Sequence, residues 1–179
     1  MFSRLDWKRG RWNVNAETSA IHRGLRGWQR TAGDSIVYWR FDFAGSQVDD
    51  VYDEGAGGGK AYYGPMTVPV LHVDHREAPN AQPRDSGLYV VDQLYVTASF
   101  DQLERAGLSY LDLQHGSVQR DRVAYDNALY DVTHADVRGQ VRRRDVIVSL
   151  VCTQVMNDEL VNDPVFADYL RGVGQNPAG

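Results

Sequence analysis

Several groups of residues have the types and spacing that chemistry could use. Gly55-Ala-Gly-Gly-Gly-Lys60 has the outline of a phosphate loop, in which backbone amides and a lysine cradle phosphate oxygens. Three positions break that outline. Glu54 stands where the first glycine belongs, Ala61 replaces the metal-binding hydroxyl residue, and acidic rather than buried apolar residues precede the loop. The segment therefore reads as a flexible loop. His72 and Asp74 would share one face of an extended strand and could ligate a divalent ion, but His75 faces away. His22, His115 and His134 complete no ligand spacing, so no metal site is predicted. Asp49, Asp50, Asp53 and Glu54 lack the alternation and turn glycine of a calcium loop, and read as a solvated or partner-facing acidic strip.

Nucleophiles fare no better. Cys152 is the single cysteine, so no internal disulfide can form, and its apolar neighbours from Val146 to Val155 make it a core residue. Gly45-Ser46-Gln47 and Gly116-Ser117-Val118 lack the strand-to-helix elbow of a serine hydrolase. Arg142-Arg143-Arg144 has no interleaved aromatics, which suits a hairpin tip better than a nucleic-acid site. Neither a catalytic residue nor a cofactor is predicted, and the chain is not expected to be an enzyme.

The elements that would carry these groups are mainly β. Ser35 to Phe43 is dense in β-branched and aromatic residues, with Tyr38 and Trp39 on opposite faces. Tyr62-Tyr63-Gly64-Pro65 reads as a turn, and Met66 to Val73 as a strand that Pro69 places at an edge. Leu88 to Ala98 forms another strand. Ser99 with Gln102 has the form of a capping box that opens a short helix ending at Gly107. Val118 to Tyr125, Leu129 to Val137 and Val146 to Met156 complete the sheet, with Asp126-Asn127-Ala128 between the first two. Ahead of the sheet, Ile21, Leu25 and Trp28 follow Asn15 at helical spacing, and Gly33 supplies a stop. Residues 1–33 thus form a basic arm and helix, 34–163 a β domain with loops at 54–65 and 77–87, and 164–179 a short helix and tail.

Charge is unevenly spread. Residues 1–30 carry seven cationic and two acidic side chains, a net +5, which leaves −10 on the remainder of a chain whose total is −5. Trp7, Lys8, Arg9, Arg11 and Trp12 in the arm could dock on an acidic neighbour, for which Asp49, Asp50, Asp53 and Glu54 are candidates. No apolar run approaches the roughly 20 residues of a membrane span, so no membrane partner is expected.

Several segments together resemble the head-to-tail stopper (neck, or head-completion) proteins of long-tailed bacteriophages, especially those of actinobacterial hosts. They are Val51-Tyr52-Asp53-Glu54 with the glycine loop, Gly64-Pro-Met-Thr-Val-Pro-Val70, Tyr95 to Gly107, Tyr125-Asp126-Asn127 to Val132, and Val146 to Glu159. The resemblance spans about Gln47 to Asp163. It implies a small antiparallel β-barrel with a helical insertion, assembled as a ring of six copies in the virion neck after synthesis in the host cytoplasm. Portal and adaptor proteins would lie on one side, a tail terminator or tail tube on the other, and packaged DNA in the channel. Gly55, Gly57, Gly58, Gly59 and Lys60 are then the first candidate channel loop, and 77–87 the second. A tail terminator or adaptor of the same neck is the close alternative. Two other classes stand beside it: a monomeric ligand-binding module using Trp39, Tyr62, Tyr63 and Tyr95, and a metal-assisted hydrolase using His72, Asp74 and the acidic cluster.

Overall fold

The computed structural model describes residues 14–32, 34–46, 59–77, 82–84, 87–89, 91–107, 120–141, 144–156, 160 and 163–166. Helix α1 (Val14–Ala32) precedes nine strands: β1 (Ser35–Phe41), β2 (Tyr62–Pro69), β3 (His72–Arg76), β4 (Gln82–Arg84), β5 (Gly87–Tyr89), β6 (Gln93–Ser99), β7 (Arg122–Tyr125), β8 (Ala128–Val141) and β9 (Arg144–Gln154). Helix α2 (Phe100–Arg105) follows β6, and a 3-10 turn covers Pro164–Phe166. Seven strands make one antiparallel sheet in the order β2-β1-β7-β8-β9-β6-β3, while β4 and β5 pair separately.

Alternation along the strands explains the sheet's two faces. Ile36, Tyr38, Val68, Leu94, Val96, Ala98, Val123, Tyr130, Val132, Val148, Leu150 and Cys152 form the main core on the concave side, and Leu103 of α2 packs into it. The opposite parity carries a second cluster, in which Trp39, Ala124 and Leu129 meet Val155, Leu160 and Phe166. Tyr38 and Trp39 do lie on opposite faces, but both are buried because the chain after β9 returns to cover the convex side. Between β7 and β8, Asp126 and Asn127 both have positive φ, as a two-residue hairpin turn with the strands' twist requires.

Closure differs from the expected barrel. The sheet is an open half-barrel whose edges stand 9 Å apart. That is about twice the 4.7–4.9 Å spacing of paired strands, too far for a direct ladder. The reason lies in the residues at the seam. β2 carries Pro65 and Pro69, which have no N–H to give. The linking residues also turn their amides elsewhere: Val70 N–H donates to Asp34 O (3.2 Å) and Leu71 N–H to Thr97 O (2.8 Å). Helix α1 takes up the carbonyls at this corner, with Gln29 Nε2 donating to Pro69 O (3.0 Å) and Trp28 Nε1 to Leu71 O (3.2 Å). Gln29 is buried for that purpose.

Other boundaries shift too. Tyr62-Tyr63-Gly64-Pro65 lies inside β2 rather than in a turn, and the register slips between Tyr38 and Arg40 opposite it. Gly64 has φ +140, and a Cβ there would sit 3.0 Å from Tyr38 O. Ser99 occupies the position before α2 without a side-chain capping bond; its Oγ meets His22 Nδ1 at 3.3 Å instead. Of the segment expected to form the final helix, Pro164–Phe166 is a 3-10 turn, and residues 167–170 lie outside the described residues.

One buried ion joins the layers. The side chain of Arg122 is 2% exposed, with Nε donating to Asp131 Oδ1 at 3.0 Å and Nη1 to Asp163 Oδ2 at 2.8 Å. Its guanidinium lies over the rings of Phe166 (4.6 Å) and Tyr62 (5.1 Å). Removing one partner from such a pair leaves the other buried and uncompensated. Arg122→Met is expected to lower stability by about 3–5 kcal/mol in urea unfolding, with the largest loss of protection in hydrogen exchange around Phe166. A change below about 1 kcal/mol, the range of surface ion pairs, would show that the pair is not structural.

Candidate functional site

Most of the docking and channel residues picked out in the sequence, namely Trp7, Lys8, Arg9, Arg11, Trp12, Asp49, Asp50, Asp53, Glu54, Gly55, Gly57 and Gly58, lie outside the described residues. Gly59 and Lys60 lie within them, immediately before β2, and Gly59 has φ +78. What the structure describes well is where this insertion meets the body. Ala61 N–H donates to Ser46 Oγ (2.8 Å), Asp42 N–H donates to Ala61 O (2.9 Å), and Ser46 N–H donates to Asp42 O (3.0 Å). Both roots of the insertion are thus held at one point, the end of the β1–β2 hairpin.

Asp42 organises this clasp. Its Oδ1 accepts the Ala44 amide at 3.0 Å, and its carboxylate also bonds the Gly45 amide and the Tyr63 hydroxyl. The Gly45 amide, with smaller contributions from Tyr63 and Ala44, holds the carboxyl below its ordinary pKa. The Tyr63 phenol is pushed up, chiefly by the hydrogen bond to Asp42. A Cβ at Gly45 would fall 2.5 Å from Asp42 Oδ2, so a larger residue there would have to displace the carboxylate. Asp42 was passed over in the sequence and Ser46 weighed only as a nucleophile, although Asp-Phe-Ala-Gly-Ser is turn chemistry of the kind that pins a loop root.

The remaining candidates do not converge. Asp74 is paired with Arg76 (2.9 Å) and His75 with Asp92 (3.4 Å). Among the described residues, no group of three or more His, Cys, Asp or Glu side chains could hold a metal ion. Trp39 is buried edge-on to Phe166 (5.2 Å), and Tyr62 packs against Phe41 and Phe166. Tyr63 is exposed, and Tyr95 stacks under Arg76 (4.4 Å). The four aromatics therefore make no common binding platform. Burial pushes the Cys152 thiol up, which suppresses the thiolate a nucleophile needs. The buried carboxylate of Asp121 accepts from the Tyr38 hydroxyl and, at 2.7 Å, from Phe41 N–H. It ties β1 to the start of β7 and is structural.

Two surfaces stand out from the body. One flank of α1 exposes much of Trp28 (62%), whose Nε1 still reaches Leu71 O, together with Ile21, and beside them Gly24 and Gly27 border open space. The β8–β9 ribbon continues past the end of β7: β7 pairs with β8 only from Ala128 to Asp131, while β9 accompanies β8 to Val141.

No protein-family model matches the chain, and no curated protein matches it in sequence. Among solved structures, one similar chain belongs to a structure described as the virion of a native gene transfer agent particle. Identity is 8%, the match covers 68% of this chain and 94% of that one, and the TM-score is 0.41. It is a weak, partial likeness to a virion component.

The clasp responds to acid with a definite sign. Asp42 has a lowered folded pKa, so its contribution is complete above the unfolded-state value and is lost as pH falls through the folded one. A carboxyl NMR titration is expected to place Asp42 below an unperturbed aspartate, and Tyr63→Phe to move it back up. An unchanged midpoint in that variant would show that the phenol does not support the carboxylate.

Proposed function

We propose that the chain is a structural connector of a phage virion, placed between portal or adaptor and tail, where copies form a ring that retains packaged DNA and docks the tail. The observation that carries this reading is the clasp. The glycine-rich segment that the sequence places between Ser46 and Ala61 leaves and re-enters the body at one fixed point, so it can block or clear a channel without disturbing the sheet. Gly55, Gly57, Gly58, Gly59 and Lys60 would form that gate. The family resemblance running from Gln47 to Asp163 supports the same role.

Assembly in this reading uses charge. Trp7, Lys8, Arg9, Arg11 and Trp12 of one copy would dock on Asp49, Asp50, Asp53 and Glu54 of the next, a contact between two different patches of the kind that generates rings. A net negative body would repel phosphate, so DNA slides past instead of binding. Gating is steric and needs no turnover, so no residue acts as a catalyst.

The test is reconstitution. DNA-filled heads that bear portal and adaptor but lack this chain are expected to leak DNA and fail to join tails, and the full-length chain to restore both. Native mass spectrometry of the vertex should then show a ring of this chain. A chain that never joins heads or tails under any condition overturns the reading. Recovery of tail joining with continued DNA leakage would point to a terminator or adaptor role instead.

A further inference from the structure

Two segments of the chain are rooted at the same end of β1. The first is the insertion between Ser46 and Gly59, whose roots are clasped at Asp42. The second is the stretch that the sequence places between Gly107 and Arg120, and its roots come to the neighbouring residues of the same strand end. Arg40 Nη1 donates to Gly107 O (2.9 Å), just past α2. Arg120 lies over the rings of Phe41 (5.6 Å) and Phe43 (5.9 Å), and Asp121 accepts the Phe41 amide (2.7 Å). Arg40-Phe41-Asp42-Phe43 thus touches both roots of each segment.

The roots of the second segment differ in how they are held. Asp121 is buried and its carboxylate also takes the Tyr38 hydroxyl, so the return of the chain is fixed to the core. At the departure, Gly107 has φ +93 and gives its amide to Glu104 O (3.0 Å), while Arg40 reaches its carbonyl through an exposed bond. Arg40 also stands opposite Tyr63 across the β1–β2 ladder, and its charge acts on the phenol that bonds the Asp42 carboxylate. Gly107, Arg40, Tyr63 and Asp42 therefore form a path in which each group faces the next. We propose that Arg40 couples the two segments at this strand end, so that whatever loosens the clasp at Asp42 also loosens Gly107, and the reverse. A contact made by one segment is then felt at the roots of the other.

The reason is geometric. A guanidinium that holds a carbonyl on one side takes its own position from what flanks it on the other, here Tyr63 and the carboxylate beyond it. Polar side chains linked in this way act as more than the sum of their pairs. Coupling of this kind is reciprocal, so the effect of the clasp on Gly107 equals the effect of Gly107 on the clasp. The buried root at Asp121 gives the movement a fixed reference. The inference is independent of the connector reading, because it concerns a single chain and holds whether or not copies assemble.

Amide hydrogen exchange on the full-length chain, read residue by residue by NMR, decides it. The amides of Ala61 and Ser46 report the clasp, those of Gly107 and Ala106 the end of α2, and that of Gln154, which donates to Asp92 O (2.9 Å), the rest of the sheet. Arg40→Met is expected to raise exchange at Ala61 and Ser46 by about threefold or more, the order of one lost hydrogen bond, with Gln154 unchanged. Tyr63→Phe, which removes only a hydroxyl, should raise exchange at Gly107 and Ala106. Together the two changes should raise it by less than the product of their separate effects, and Arg40→Lys should recover part of the protection. Effects confined to each variant's own side, effects that multiply in the double variant, or a rise that reaches Gln154 equally in every variant overturn the proposal. A coupled chain that never joins heads or tails leaves this inference standing and removes the connector reading, whereas an uncoupled chain that does join them does the reverse.

Discussion

The guanidinium of Arg122 is the constraint around which the layers are arranged. It sits on a central strand, yet both its ionic partners belong to other elements, Asp131 on β8 and Asp163 beyond β9. Taking such a charge out of water costs several kcal/mol, and that cost is offset only when the geometry of every partner is right. Satisfying it draws the chain after β9 back across the convex face. Leu160 and Phe166 are thereby delivered onto Trp39, and the second core exists because the ion pair brings its outer half into place. Tyr62 closes the cage from the edge strand, its phenol pushed up mainly by burial.

Against that fixed centre, the seam is where the fold stays incomplete. A sheet of seven curled strands would gain ladder bonds by closing, but the prolines of β2 remove donors and α1 occupies the corner carbonyls. The two helices are further tied by Arg26 to Asp101 of α2 (3.0 Å), which Arg105 also approaches. The half-barrel is therefore finished by side chains reaching backbone, not by backbone meeting backbone.

Much of this was legible in the sequence, and the gaps have physical causes. α1 ends where Gly33 foretells, and the strands that bury one face announce themselves by alternation, as in Val146 to Val155. By its pattern β8 ends at Val137, because Arg138 and Gln140 in its distal part are polar; a ribbon that outruns the core has no need to look like one. Gly64-Pro65 mimics a turn, since no local rule reveals that a bulge in β2 will absorb it. Closure is not legible in the sequence because it depends on which side of a strand a proline faces. Arg122 and Asp121 were missed for a related reason: a lone charged residue in a strand looks solvated until distant partners such as Asp163 are known. Of the candidate site, the loop's glycines and Lys60 were visible as composition, whereas its anchor was hidden in the short turn from Asp42 to Ser46.

Attachment of α1 by side chains gives the molecule an order of mechanical strength. Trp28 and Gln29 bond backbone carbonyls at the corner, and His22 and Arg26 reach Ser99 and Asp101. Strands β6, β9 and β8 are held by ladders that run along their length and would be loaded in shear. A force applied through the residues that precede α1 would peel these contacts one at a time, while the sheet bears load on many bonds at once. The helix is thus a tether that yields first, and the half-barrel behind it keeps its shape under tension.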